Sequence, residues 1–118
     1  MERNVELSLL LSWYGAFLTE RQRTLLELHV DEDLSLSEIA ERESISRQGV
    51  HDALRRAEEQ LLEMEEKLGL ERRTNALREG LSELFAFARD IACKKEQKEA
   101  LLSRIGALQN LLEDEHGV

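Results

Sequence analysis

Proline is missing from all 118 residues, and so is any stretch in which β-branched and polar residues alternate. The first absence leaves no built-in helix stop, and the second leaves no candidate for a half-buried strand. Leu, Glu, Ala and Arg, all good helix formers, dominate instead. The fold class expected is therefore all-α. Aromatics supply only 4% of the chain against 42% hydrophobic residues, so a core has to be built from Leu, Ile, Ala and Val. The single cysteine, Cys93, excludes an internal disulfide and suits a reducing, cytosolic compartment. No run of about 18 apolar residues occurs, so no membrane association is expected.

The means for catalysis are scarce too. His29, His51 and His116 are scattered, with no pair at helical spacing and no cysteine companion, so no metal is expected. A glycine-rich phosphate loop and a nucleophile elbow are both lacking, and no cofactor is expected. The many carboxylates fall on outward helix faces, and Cys93 reads as a small core residue on an apolar helix face. The expectation is a protein that is not an enzyme. Basic residues are outnumbered 16 to 25, giving a net charge of −9. Nucleic-acid binders usually show a basic face, so any such role here rests on a local patch.

What the chain does have is helical periodicity, broken by well-placed caps. Leu7, Leu10, Leu11, Tyr14, Phe17 and Leu18 recur at spacings of three and four, predicting an amphipathic helix over 4–17 with Trp13 and Tyr14 in or beside the core. Thr19 and Gln22 form a capping box that opens a second helix reaching Val30. Asp31-Glu32-Asp33 then opposes the helix dipole and predicts a loop.

The most specific stretch is 34–56, LSLSEIAERESISRQGVHDALRR. Ser35 and Glu38 make a second capping box, with Leu34 and Ile39 positioned as a hydrophobic staple. A short helix follows, with Ile39 and Ala40 inward, the small Ala40 permitting a close helix crossing. Ser44-Ile45 makes the turn, Ile45 plugging it into the core, and Ser46 caps the next helix. This is the pattern of a helix-turn-helix, whose second helix meets bases in the major groove with its early residues. Its outward residues are the candidate nucleic-acid contacts: Ser46, Arg47, Gln48, His51, Asp52, Arg55 and Arg56. Arg pairs with guanine and Gln with adenine in two-pronged fashion, and Ser46 with the helix N-terminus suits a phosphate. Between Arg47 and Arg56 three Arg face one Asp. Residues 31–43 oppose this with six acids and one base, in a segment that would lie near a DNA backbone. That balance suits weak DNA binding, or a motif reused to hold a protein or ribonucleoprotein.

The second helix of the motif does not stop. Val50, Leu54, Ala57, Leu61, Met64 and Leu68 carry its stripe to Gly69, a helix of about 33 Å. After a polar joint over 70–74, with Thr74 as a cap, a last long helix follows on Leu77, Leu81, Leu84, Ala88 and Ile91. A polar interval at 94–99 bends or breaks it before Leu101, Ile105, Leu108 and Leu112, and 113–118 reads as a solvated tail. The organisation expected is a helix-turn-helix domain over 1–70 and a helical extension over 71–118. Apolar stripes this long need a partner, and a homodimer through the long helices supplies one unless the stripes pack within one chain.

Residues 18–22 (LTERQ), 35–41 (SLSEIAE) and 45–48 (ISRQ) with Val50 carry a resemblance to the YlxM-like family of small bacterial helix-turn-helix proteins, over about residues 5–70. More distantly the stretch is similar to region 4 of bacterial sigma factors. The likeness implies an all-α fold, DNA binding, and a regulatory role in the signal recognition particle pathway, acting on its protein or RNA. It places Ser46, Arg47, Gln48, His51, Asp52 and Arg55 where such helices contact DNA. Ser44 occupies the turn position that is often glycine in such proteins, a departure that is tolerable if its backbone is not left-handed.

Overall fold

The computed structural model describes residues 3–116, with side chains to 113. Among them are six α-helices and no strand: α1 (Arg3–Tyr14), α2 (Glu20–Val30), α3 (Leu36–Glu43), α4 (Arg47–Leu68), α5 (Leu70–Asp90) and α6 (Lys95–His116), with a 3-10 turn at Gly15–Phe17. The chain divides into two compact units, Met1–Glu71 and Arg72–Val118.

In the first unit, α1 buries Leu7, Leu10, Leu11 and Tyr14. It ends three residues before the periodicity does, because the chain tightens into the 3-10 turn and turns Phe17 out to solvent. The stripe continues through Leu18, which is buried. Both capping boxes form: Thr19 Oγ1 accepts from Gln22 N–H at 3.1 Å while Gln22 accepts from Thr19 N–H, and Ser35 and Glu38 repeat the exchange. Each cap is worth about 1 kcal/mol.

The stripe of α4 is covered by its own chain. Val50, Leu54, Ala57 and Leu61 are buried in a core shared with α1, α2 and α3, each large side chain contributing about 1.5–3 kcal/mol. Helix α4 is thus a central helix, and of its apolar stripe only Leu68, in the last turn, is exposed. Gly69 ends α4 in the left-handed conformation (φ 64°), its N–H reaching Glu65 O at 2.8 Å.

The joint expected over 70–74 does not exist. Helix α5 begins at Leu70, with only Gly69 between it and the end of α4, and Thr74 lies inside it. The helix start is capped from far away in sequence. Tyr14 Oη accepts from Leu70 N–H at 3.1 Å and donates to Glu65 Oε1 at 2.7 Å; the same carboxylate oxygen accepts from Glu71 N–H at 3.1 Å. Trp13 Nε1 donates to Glu71 Oε1 at 3.0 Å. The two aromatics that read as core residues therefore also hold the first turn of α5.

In the second unit, α5 and α6 run antiparallel, joined by Arg78–Glu113 at 2.7 Å near one end and by Lys98 Nζ donating to Arg89 O near the other. The helix does break, but at 91–94, largely ahead of the polar interval, whose residues 95–99 belong to the first turns of α6. Cys93 falls in the break and is exposed, not a core residue. Helix α6 runs on through His116 where a tail was expected; residues 117 and 118 lie outside those described.

Candidate nucleic-acid interface

The two helices of the motif meet at a turn built by three adjacent residues. Ser44 closes α3 in the left-handed conformation, φ 57° and ψ 42°, the one in which a serine at this position is strained. Its N–H and that of Ile45 both reach Ala40 O, the latter at 3.1 Å. This closure gives the Ala40 carbonyl two donors at the end of α3, and it requires the left-handed residue whether or not glycine supplies it. Ile45, half-buried, packs on the core beneath the turn. Ser46 then caps α4, its Oγ accepting from Gly49 N–H at 2.9 Å. A Cβ at Gly49 would stand 3.1 Å from that oxygen, which glycine avoids.

The residues singled out from sequence lie along the first three turns of α4, away from the core. Arg47, Gln48, His51, Arg55 and Arg56 are exposed and Asp52 is half-exposed. They do not all stand ready in the same way. Ser46 Oγ is engaged in its cap. Gln48 Nε2 donates to Asp52 Oδ1 at 3.0 Å, and His51 Nδ1 stands 3.5 Å from the same oxygen. The Gln48 amide, and secondarily His51, hold the Asp52 carboxyl below its ordinary range, so it is anionic at neutral pH. Arg55 leans toward Glu59 at 3.8 Å, a contact between exposed groups that is worth little. Among the described residues Arg47 and Arg56 have no ion pair or hydrogen bond from their side chains.

The acidic loop is less bare than its sequence. Asp31 accepts from Ser8 Oγ at 2.6 Å, Glu32 pairs with Arg42 at 3.9 Å, and Glu43 with Arg21 at 3.7 Å. Glu38 is taken up by its cap, where Ser35 N–H holds the carboxyl below its usual range. Arg21 and Arg42 are thereby drawn into balancing acids.

Beside the motif, a cleft of about 220 Å³ is lined by His29, Leu36, His51, Leu54, Arg55 and Glu58. His29 and Glu58 were not singled out from sequence. His29 comes from α2, with Nδ1 3.0 Å from Leu34 O, and only the tertiary fold brings it to this edge. Among the described residues no group of His, Cys, Asp and Glu is arranged to hold a metal, and no helix is long and apolar enough to cross a membrane.

The chain is similar to known proteins over a little more than half of its length. It is 55% identical over 65 residues to a UPF0122 protein of Desulforamulus reducens, covering 55% of this chain and 56% of that one. It is 50% identical over 70 residues to one of Clostridium botulinum, covering 59% and 64%, and 51% identical over 70 residues to one of Acetivibrio thermocellus, covering 59% and 60%. Each match thus spans less than two thirds of the relative's own length. The family model described as "Putative helix-turn-helix protein, YlxM / p13 like" matches residues 1–107. With nearly its whole length matched, the chain belongs to this UPF0122, YlxM/p13-like family.

Proposed function

We propose that the protein is a regulatory DNA-binding protein that reads duplex DNA with the first turns of α4. One observation carries the reading: the helix-turn-helix presents Arg47 and Arg56 to solvent without an internal partner, on a helix whose opposite face is locked in the core. In this reading Arg47 and Gln48 meet base edges, Gln48 exchanging its bond to Asp52 for one to a base. His51, Arg55 and Arg56 meet bases or phosphates farther along the helix, and Ser46 keeps the helix N-terminus aimed at the backbone. The affinity is modest, because acids at Asp52 and across residues 31–43 oppose phosphates. No step of chemistry and no cofactor enters, and the lone exposed thiol suits a cytosolic setting.

The test is anisotropy of labelled duplex DNA over a salt series. Binding at low salt that falls steeply as salt rises, and is weakened by Arg47→Ala with helicity unchanged, is the expected result. No binding at low salt sinks the proposal.

A second reading is the motif as scaffold for a protein or ribonucleoprotein adaptor, its partner the signal recognition particle's protein or RNA; the same acids favour the protein as the point of contact. It predicts binding to those components that Arg47→Ala leaves unchanged. In either reading the protein is a homodimer assembled through its long helices.

A further inference from the structure

The second unit leaves an apolar face uncovered. Of its described residues only Ala88 and Ile105 are fully buried, too little to hold a helical hairpin of this size by itself. An open groove of about 310 Å³ runs between the helices, lined by Leu77, Leu81, Leu108, Leu111 and Leu112. Leu77 is 57% exposed, Leu108 50% and Leu111 59%. At spacings of three and four, Leu84 and Phe87 extend the strip along α5 and Leu101 extends it along α6. Phe87 is 67% exposed. Together these side chains expose on the order of 500 Å² of apolar surface, more than a scattering of surface leucines. With a polar rim this approaches the roughly 800 Å² that one side of a stable interface contributes.

Charge indicates what covers it. Arg72–Val118 carries eight bases and eight acids, so the whole net charge of −9 resides in the other unit. A neutral surface attracts neither nucleic acid nor a strongly basic protein, but it lets two identical faces meet without net repulsion. A two-fold axis then sets each strip on its own copy, the self-complementary arrangement of a symmetric dimer. We propose that this face, Leu77, Leu84 and Phe87 of α5 with Leu101, Leu108 and Leu111 of α6, is the interface between two copies of the chain. The proposal deepens the homodimer reading by assigning it to α5 and α6 and removing α4, whose stripe is already covered.

The experiment is sedimentation equilibrium on the full chain from about 1 to 100 μM. Wild type is expected to be dimeric in this range. Leu108→Glu with Leu111→Glu places four charges in each dimer interface and is expected to weaken association roughly a hundredfold or more. Leu62→Glu, an exposed apolar position on α4, should leave it unchanged. Phe87→Ser is a milder second variant, expected to weaken association about tenfold without adding charge. Circular dichroism checks that helicity is retained. A monomeric wild type at 100 μM overturns both the interface and the homodimer reading. A wild-type dimer that neither α6 nor α5 variant weakens overturns the interface alone and leaves the dimer to another surface.

Discussion

Removing one oxygen atom, in Tyr14→Phe, should be costly, because the side chain is fully buried and its phenol bridges two helices. The phenol makes two bonds at once, donating to the Glu65 carboxylate at 2.7 Å and accepting from Leu70 N–H at 3.1 Å. A hydrogen bond to a charged group contributes about 1.5–3 kcal/mol and a neutral one about 0.5–1.5 kcal/mol. Both lie at a part-buried site, and water recovers some of the loss, leaving an expected cost of about 2 kcal/mol. For a folding unit of about 70 residues, each kcal/mol lowers Tm by about 4–8 °C, so the transition of the first unit should fall by about 10 °C. Urea unfolding followed by circular dichroism checks the free energy, and calorimetry separates the two units if they melt independently. Glu65→Gln, which keeps an acceptor for Glu71 N–H, should cost less. A Tyr14→Phe change below about 0.5 kcal/mol would mean that water replaces the phenol freely, and the argument that α1 caps α5 would fail.

Ser44→Gly should stabilise the protein by about 0.5–1 kcal/mol, the left-handed strain relieved exceeding the added entropy of the unfolded chain; a loss of stability in chemical denaturation would refute it. The Glu38 carboxyl, held below its ordinary value of 4.5 by Ser35 N–H, contributes stability that is present above that value and lost as pH falls through the lowered one. Glu38→Gln keeps the cap acceptor and should flatten the acid limb of the stability curve, which acid titration followed at 222 nm would detect. Asp52→Asn should tighten duplex binding several-fold in the anisotropy assay, by removing an anion from the α4 face; equal or weaker binding would count against that face. Leu61→Ala, in the core between α4 and its neighbours, should cost about 2–5 kcal/mol, and a cost below about 1 kcal/mol in urea would show that α4 is not the central helix.

How much could be read beforehand follows from the range of each interaction. The caps at Thr19, Ser35 and Ser46 were legible because donor and acceptor lie three residues apart. The inward set from Val50 to Leu61 was legible from spacing alone. What covers that set was not, because periodicity marks a buried face and is silent on its partner; a second copy and the same chain were both open, and α1, α2 and α3 cover it. The start of α5 was misread for the same reason, the Tyr14 hydroxyl that caps Leu70 lying 56 residues away. Cys93 was assigned to a helix face because the stripe resumes beyond it, although the backbone breaks there. Ser44 turned on a dihedral angle that residue type biases weakly. For the candidate interface, sequence supplied the outward residues, whereas Gln48–Asp52 pairing and the proximity of His29 are products of rotamer and tertiary packing.

The distant cap on α5 also bears on the order in which the chain acquires structure. First-turn amides of a helix normally lack acceptors and exchange with solvent quickly. Those of Leu70 and Glu71 are held by groups on α1 and α4, so their hydrogen exchange should be as slow as that of the first unit's core. The acceptors are assembled from residues synthesised earlier, Tyr14 and Glu65, so α5 emerges onto a prepared nucleus and is spared the unfavourable first turn of an isolated helix. Slow exchange at residues 70 and 71, with faster exchange farther along α5, would show that these two amides open only with the first unit.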